Sequence, residues 1–240
     1  MNTNNRIFEA ATLGVLLCIG FIALGFLLSS GALKVKELER TVTVKGLSER
    51  EVQADIAIWP IRFNEANNDL NQLYSEIQRK SDLAVNFLKQ FGFSDSEISI
   101  SQPAILDRQA QSYGDASAIK YRFTSSVTIT VYSKKVEEVR NAMKKIVDLG
   151  KQGIAITGQD YENKTEFLFT GLNNIKPEMI EEATKNARMV AQKFAKDSNS
   201  KLGKIKKGRQ GQFSIMNRDR STHYIKKIRV VSTVEYYLSD

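Results

Sequence analysis

The sequence predicts an α+β domain, a largely antiparallel sheet with about three amphipathic helices packed on it, preceded by one N-terminal transmembrane helix. Three observations predict it. From Ala10 to Leu33, 24 residues pass without a charge. Beyond them, stretches alternating polar and β-branched residues are interleaved with stretches of helical spacing. Each helical stretch is apolar along one stripe only, which gives it a face to lay on a sheet.

A helix that crosses a bilayer needs about 20 apolar residues, whereas the apolar part of a cleaved signal runs to roughly 7–15. The chain therefore divides into a short tail (1–9), a transmembrane anchor or uncleaved signal (10–33) and a folded domain (34–240). Ser30-Gly31-Ala32 is a small-residue cleavage site, so a released protein is the alternative. Leu17 before Cys18 does not suit lipid attachment. Arg6 and Glu9 precede the apolar run, and Lys34, Lys36 and Arg40 follow it. By the positive-inside rule that count favours a cytoplasmic carboxyl end, by a small margin.

In the domain, "RTVTVKG" (Arg40–Gly46) alternates as a half-buried strand does. A charged turn is expected at Ser48–Glu51, then a second strand over Val52–Phe63, where Pro60 argues for an edge or a bulge. Asn67 or Asn68 is placed to cap a helix whose apolar positions are Leu70, Leu73, Tyr74, Ile77, Ala84, Leu88 and Phe91, with Gly92 ending it. "ISISQPAIL" is extended, "RQAQSYGDASA" reads as a polar hairpin loop, and Ile119–Ser133 is the clearest strand, with Val127, Ile129 and Val131 on one side. A helix follows at "KKVEEVRNAMKKIVDLG", with Val136, Val139, Met143, Ile146 and Val147 inward and Gly150 as terminator. "GIAITG" and "TEFLFTG" are strand candidates. Pro177 opens the last helix as a first-turn residue, and "THYIKKIRVVSTVEYYLSD" ends the sheet.

That last helix places Ala183, Ala187, Ala191 and Ala195 four apart, a stripe along one face. Small side chains mark a close approach of another backbone. An intramolecular seat, with Ile180, Val190 and Phe194 completing the apolar face, is favoured over a subunit contact.

Composition narrows the chemistry. One cysteine (Cys18) and one histidine (His223) cannot build a zinc site of Cys and His within one chain, and any serine–histidine or cysteine–histidine catalysis would run through His223 alone. No cofactor is expected. "GKQG" and "GRQG" lack the lysine or third glycine of a phosphate loop, and Asp107, Asp115 and Glu97 do not have calcium-loop spacing. Asp55 is the carboxylate most suggestive of a site, yet a carboxylate at a strand start more often caps a turn.

Several stretches resemble the SIMPL-domain family. "VTVKGLSEREVQAD" is similar to its opening strand, turn and Asp. "FLKQFGFSDSEISISQPAI" resembles its Gly-then-Asp turn, and "YRFTSSVTITVYSKKVEEVRNAM" its central strand and second helix. The alanine-striped helix followed by Leu202-Gly203 looks like its most recognisable feature. The resemblance covers roughly residues 40–238. Ala54 stands where the family often has proline. The resemblance implies an exported bacterial protein of the envelope, linked to oxidative-stress defence or surface antigenicity, that forms oligomers and has no known catalytic residues. That export habit outweighs the charge count. The domain is expected in the periplasm on a single-pass inner-membrane anchor, or, if cleaved, periplasmic or outer-membrane associated.

The net charge of +8 is concentrated: residues 201–229 hold ten basic residues and one acid, Asp219. Lys201, Lys204, Lys206, Lys207, Arg209, Arg218, Arg220, Lys226, Lys227 and Arg229 form a candidate surface for anionic lipid or polymer, against the plainer reading of a solvated face. No motif that reads RNA or DNA surrounds them, so no specific nucleic acid is expected. The function expected is a non-enzymatic, membrane-anchored SIMPL-like envelope protein that self-associates, in part through strand edges, and contributes to stress tolerance or surface assembly. A binding module whose basic 201–229 segment docks anionic lipid, polymer or nucleic acid is the alternative.

Overall fold

Alternation and helical spacing become two antiparallel sheets with helices laid on them. The computed structural model describes residues 3–37, 40–110, 120–158 and 163–239. The elements are α1 (Thr3–Glu37), β1 (Thr41–Gln53), β2 (Ile56–Asn67), α2 (Leu70–Gln90), β3 (Ile98–Ile100), β4 (Ala104–Asp107), β5 (Phe123–Ser133), α3 (Val136–Lys144), α4 (Val147–Lys151), β6 (Glu166–Leu168), α5 (Leu172–Asp197), β7 (Lys201–Gln210), β8 (Ser214–Asn217) and β9 (Ile225–Ser239). Within α1, Ala11–Ala32 is long and apolar enough to cross a membrane, and none of it is buried in the protein.

The folded chain divides into two compact units. The first comprises Met1–Glu49, Lys176–Ser214 and Arg229–Asp240. Here β1, β9 and β7 lie side by side in that order, and the alanine stripe of α5 packs on their inner face. Val44, Val234 and Tyr236 meet Ala187 and Ala191, with Val42 and Leu202 at the margin. Met179, Ala183, Ala187 and Ala191 are fully buried and Ala195 nearly so. The stripe is small because β1 comes very close: a Cβ on Gly46 would fall 1.8 Å from the Ala183 carbonyl oxygen and 2.4 Å from the Ala187 nitrogen. Two polar contacts pin the same seat. The Ser48 hydroxyl donates to Glu182 at 2.9 Å, and the Asn186 amide donates to the Leu47 carbonyl at 2.8 Å. Beside the stripe, Val190 and Phe194, expected in the core, are exposed, as is Met189, and Met179 rather than Ile180 extends the stripe.

The second unit, Arg50–Ile175 with Ile215–Ile228, is a two-layer sandwich. Its sheet runs β3-β5-β2-β6, with β4 also on β5. Trp59, Ile61 and Phe63 pair with Val131, Ile129 and Val127 on the inner face. Leu73, Ile77, Ala84, Phe87 and Leu88 of α2, Val139 and Ala142 of α3 and Leu149 of α4 close over them.

Several sequence expectations are corrected, each for a local reason. No turn forms at Ser48–Glu51. β1 runs through it because alternation turns Ser48 inward and leaves Glu49 to pair with Arg229 at 3.2 Å. The corner falls at Ala54-Asp55 instead. Asp69 caps α2 by accepting from the Gln72 N–H at 2.9 Å, while Asn67 accepts from the Asp69 N–H and donates to the Gln72 side chain. The helix expected from Lys134 to Gly150 is broken into α3 and α4, Gly150 lies inside α4, and Val147 is 66% exposed. Helix α5 begins at Leu172, so Pro177 sits inside it, where it forgoes one backbone bond. "GIAITG" supplies only a bridge from Ile156 to Phe63. Residues 111–118 of the polar loop, and Ile119 at the start of the strand expected after it, lie outside the described residues.

Pro60 is accounted for. Past Ile58 the strand β6 no longer pairs with β2, and on that side no other described residue pairs with β2 until Phe63.

Candidate functional site

Asp55 sits at the corner between β1 and β2, placed there because the alternation of both strands stops at Ala54. Its carboxylate accepts from the Thr170 N–H at 2.9 Å, the Thr170 hydroxyl at 2.9 Å and the Gly171 N–H at 3.1 Å. Its own N–H donates to the Leu168 carbonyl at 2.8 Å. Those amides lead directly into α5, where unpaired N–H groups and the helix dipole both favour a negative charge. The carboxylate is therefore committed to holding chain segments together. The sequence showed the acid but not its partners; a Thr-Gly pair between an apolar strand and a helix was the available signal.

Glu97 is a second structural acid. The Ser133 hydroxyl at 2.6 Å, the Ser94 N–H and hydroxyl, and the Lys135 ammonium at 3.2 Å converge on it. The Ser133 hydrogen bond, then the Ser94 N–H, bring its pKa from 4.5 to about 2. A depressed acid contributes stability that is complete above its unfolded value and is lost as pH falls through the folded one. Thermal stability should thus decline from about pH 4.5 toward 2. Glu97→Gln should flatten that decline in melts followed by circular dichroism; an unchanged acid limb would remove Glu97 as its source. Asp107 pairs with Arg122 at 2.9 Å, which holds its carboxyl below the ordinary range. Asp115 lies outside the described residues.

His223 lines a cleft of about 290 Å³ with Arg140, Lys144, Thr165, Ser221 and Tyr224. The Arg140 guanidinium stacks on the Tyr224 ring at 3.5 Å. Among the described residues no carboxylate lines this cleft to orient the imidazole as a base. Among the described residues no three His, Cys, Asp or Glu side chains gather as a metal site.

The basic residues separate. Lys201, Lys204, Lys206, Lys207 and Arg209 lie on β7, exposed, with Arg229 in the same unit, while Arg218, Arg220, Lys226 and Lys227 belong to the other. Lys206 pairs with Glu235 at 3.4 Å, Arg218 with Asp219 at 3.0 Å and Arg229 with Glu49 at 3.2 Å. Lys226 needs correction as a surface cation: alternation along β9 turns it inward to 8% exposure. There its ammonium donates to Asn217, and burial pushes its pKa down against the opposing charge of Glu166.

A feature the sequence did not reveal is a groove of about 880 Å³ beside the open stretch of β2. It is lined by Trp59, Pro60 and Ile61, by α3 and α4, and by Ile154–Gly158.

With strand, glycine, corner acid and striped helix in place, comparison with known proteins is direct. The family model SIMPL, described as a protein of unknown function (DUF541), matches residues 42–232. The chain belongs to the SIMPL family. No curated protein matches it. In this SIMPL chain the residues that carried the resemblance are structural: Gly46 and the alanines meet in one unit, and Asp55 caps the entry to α5 in the other.

Proposed function

We propose that the chain is a non-enzymatic, membrane-anchored envelope protein that self-associates and supports surface assembly or stress tolerance, with its domain on the periplasmic side. Family membership and the apolar helix Ala11–Ala32 support the anchored part. The commitment of Asp55 to backbone amides supports the non-enzymatic part.

Self-association rests on one observation: Met189, Val190 and Phe194 are 55%, 38% and 56% exposed on α5. Adjacent exposed apolar side chains of this size mark contact surfaces. The edge strand β7 is a poorer candidate, because it carries four lysines and two register shifts, devices that keep edges unpaired. The exposed side chains of α5 therefore support the contact better than β7 does. Full-length protein in detergent at tens of micromolar should scatter light as more than one protomer, and Phe194→Lys should shift it toward one. A wild-type monomer sinks the reading.

A second reading is favoured by Lys204, Lys207 and Arg209, which project from β7 into solvent. They would hold an anionic polymer by charge alone, with strong salt dependence. Full-length protein in neutral-lipid nanodiscs should then elute from heparin at higher salt than a variant with all three changed to glutamate. Equal elution removes this reading.

A further inference from the structure

The groove beside Pro60 has walls and an edge that select one class of occupant. Strand β2 pairs with β5 along its length but with β6 only over Ile56–Ile58, and the next bridge on that side joins Phe63 to Ile156. Between them no described residue pairs with this edge of β2. The Arg62 carbonyl accepts from the Thr157 N–H at 2.8 Å, so Arg62 turns its backbone to this edge. By the alternation of a strand, Pro60 does the same, and proline has no N–H to offer. A peptide adding as a strand would meet a carbonyl without a matching donor. The occupant must be held by side chains.

Those side chains are apolar. Trp59, Ile61, Met143, Ile146, Val147 and Ile156 form the walls, and among the described residues the only charged one in the lining is Lys151. Its ammonium sits 2.9 Å from Asp148, whose carboxyl also feels Lys145, so the described rim carries two cations to one acid. The volume of about 880 Å³ is within the roughly 300–1,000 Å³ of small-ligand sites. We propose that this groove takes the hydrocarbon chain of a fatty acid, with the carboxylate at the Lys151 rim. The apolar walls suit the chain, and the excess of one cation over Asp148 at the described rim suits one negative charge. The anchored reading enters only as the source of the ligand, a bilayer beside the domain. Self-association plays no part, so the two readings fail separately.

Trp59 is the sole tryptophan of the chain and lines the groove, which makes its fluorescence a local reporter. The full-length protein in nanodiscs is titrated with 9,10-dibromostearic acid, whose bromines quench on contact, with unbrominated stearic acid as competitor. Saturable quenching that the competitor reverses is expected. Two variants test the location. A Cβ on Gly150 meets nothing within 4 Å, and Val147 is 66% exposed, so Gly150→Leu and Val147→Glu are expected to keep the fold, as circular dichroism would check. Each should raise the half-saturating concentration about tenfold, comparable to losing two buried methylenes. If one variant fails to fold, the other carries the comparison. Quenching that rises linearly with probe, or that is the same in wild type and folded variant, overturns the proposal.

Discussion

Replacing Gly46 with alanine should lower the melting temperature more than any other single methyl added to this protein. The added Cβ would lie 1.8 Å from the Ala183 oxygen, 2.4 Å from the Ala187 nitrogen and 2.9 Å from the Ala187 Cβ. Two of these are backbone atoms of a 26-residue helix, which no rotamer change can move aside. The helix must lift from the sheet and take with it the Ser48–Glu182 and Asn186–Leu47 contacts. Overpacking a close-packed seat costs about 1–3 kcal/mol and more where backbone blocks relaxation, so about 3 kcal/mol or above is expected. That corresponds to a fall of roughly 6–12 °C. Gly208→Ala is the control, because a Cβ there meets nothing within 4 Å. Ala187→Gly should not rescue Gly46→Ala, since the nearest obstruction is the Ala183 carbonyl. Melting at the wild-type temperature would mean that α5 is not seated on Gly46.

What the sequence discloses here depends on range. The strand at Phe123–Ser133 and the tail strand at Ile225–Ser239 are visible because their alternation is local. The alanine stripe and "VTVKG" are each visible as well, but not that they touch: Gly46 and Ala183 are brought together only by the fold. Charge misleads at Ser48–Glu51, where a strand with one solvated face tolerates charged residues as well as a turn does. Pro177 misleads because a helix already begun can absorb one missing N–H, and α5 is begun five residues earlier. The groove is the least visible feature. It exists because β6 is short, and strand length is set by pairing partners rather than by residues 59–61 themselves.

Removing the Asp55 carboxylate should be the second most costly change. Asp55→Ala leaves the Thr170 and Gly171 N–H groups and the Thr170 hydroxyl without their acceptor, 115 and 116 residues along the chain. Charge-assisted bonds and helix capping together make this about 2–4 kcal/mol, or a fall of roughly 5–15 °C. Asp55→Asn keeps one oxygen to accept but turns amide hydrogens toward donors, so an intermediate loss is expected. Thr170→Val removes one bond of the set, and in a double-mutant cycle with Asp55→Ala the two losses should not add, because the hydroxyl bonds the same carboxylate. These signs separate a capping acid from a catalytic one. A catalytic carboxylate changed to asparagine loses turnover while its melting temperature holds, whereas this one should lose stability in step with the bonds removed. Asp55→Asn and Asp55→Ala both melting like wild type would reopen Asp55 as a reacting group and undo the non-enzymatic reading.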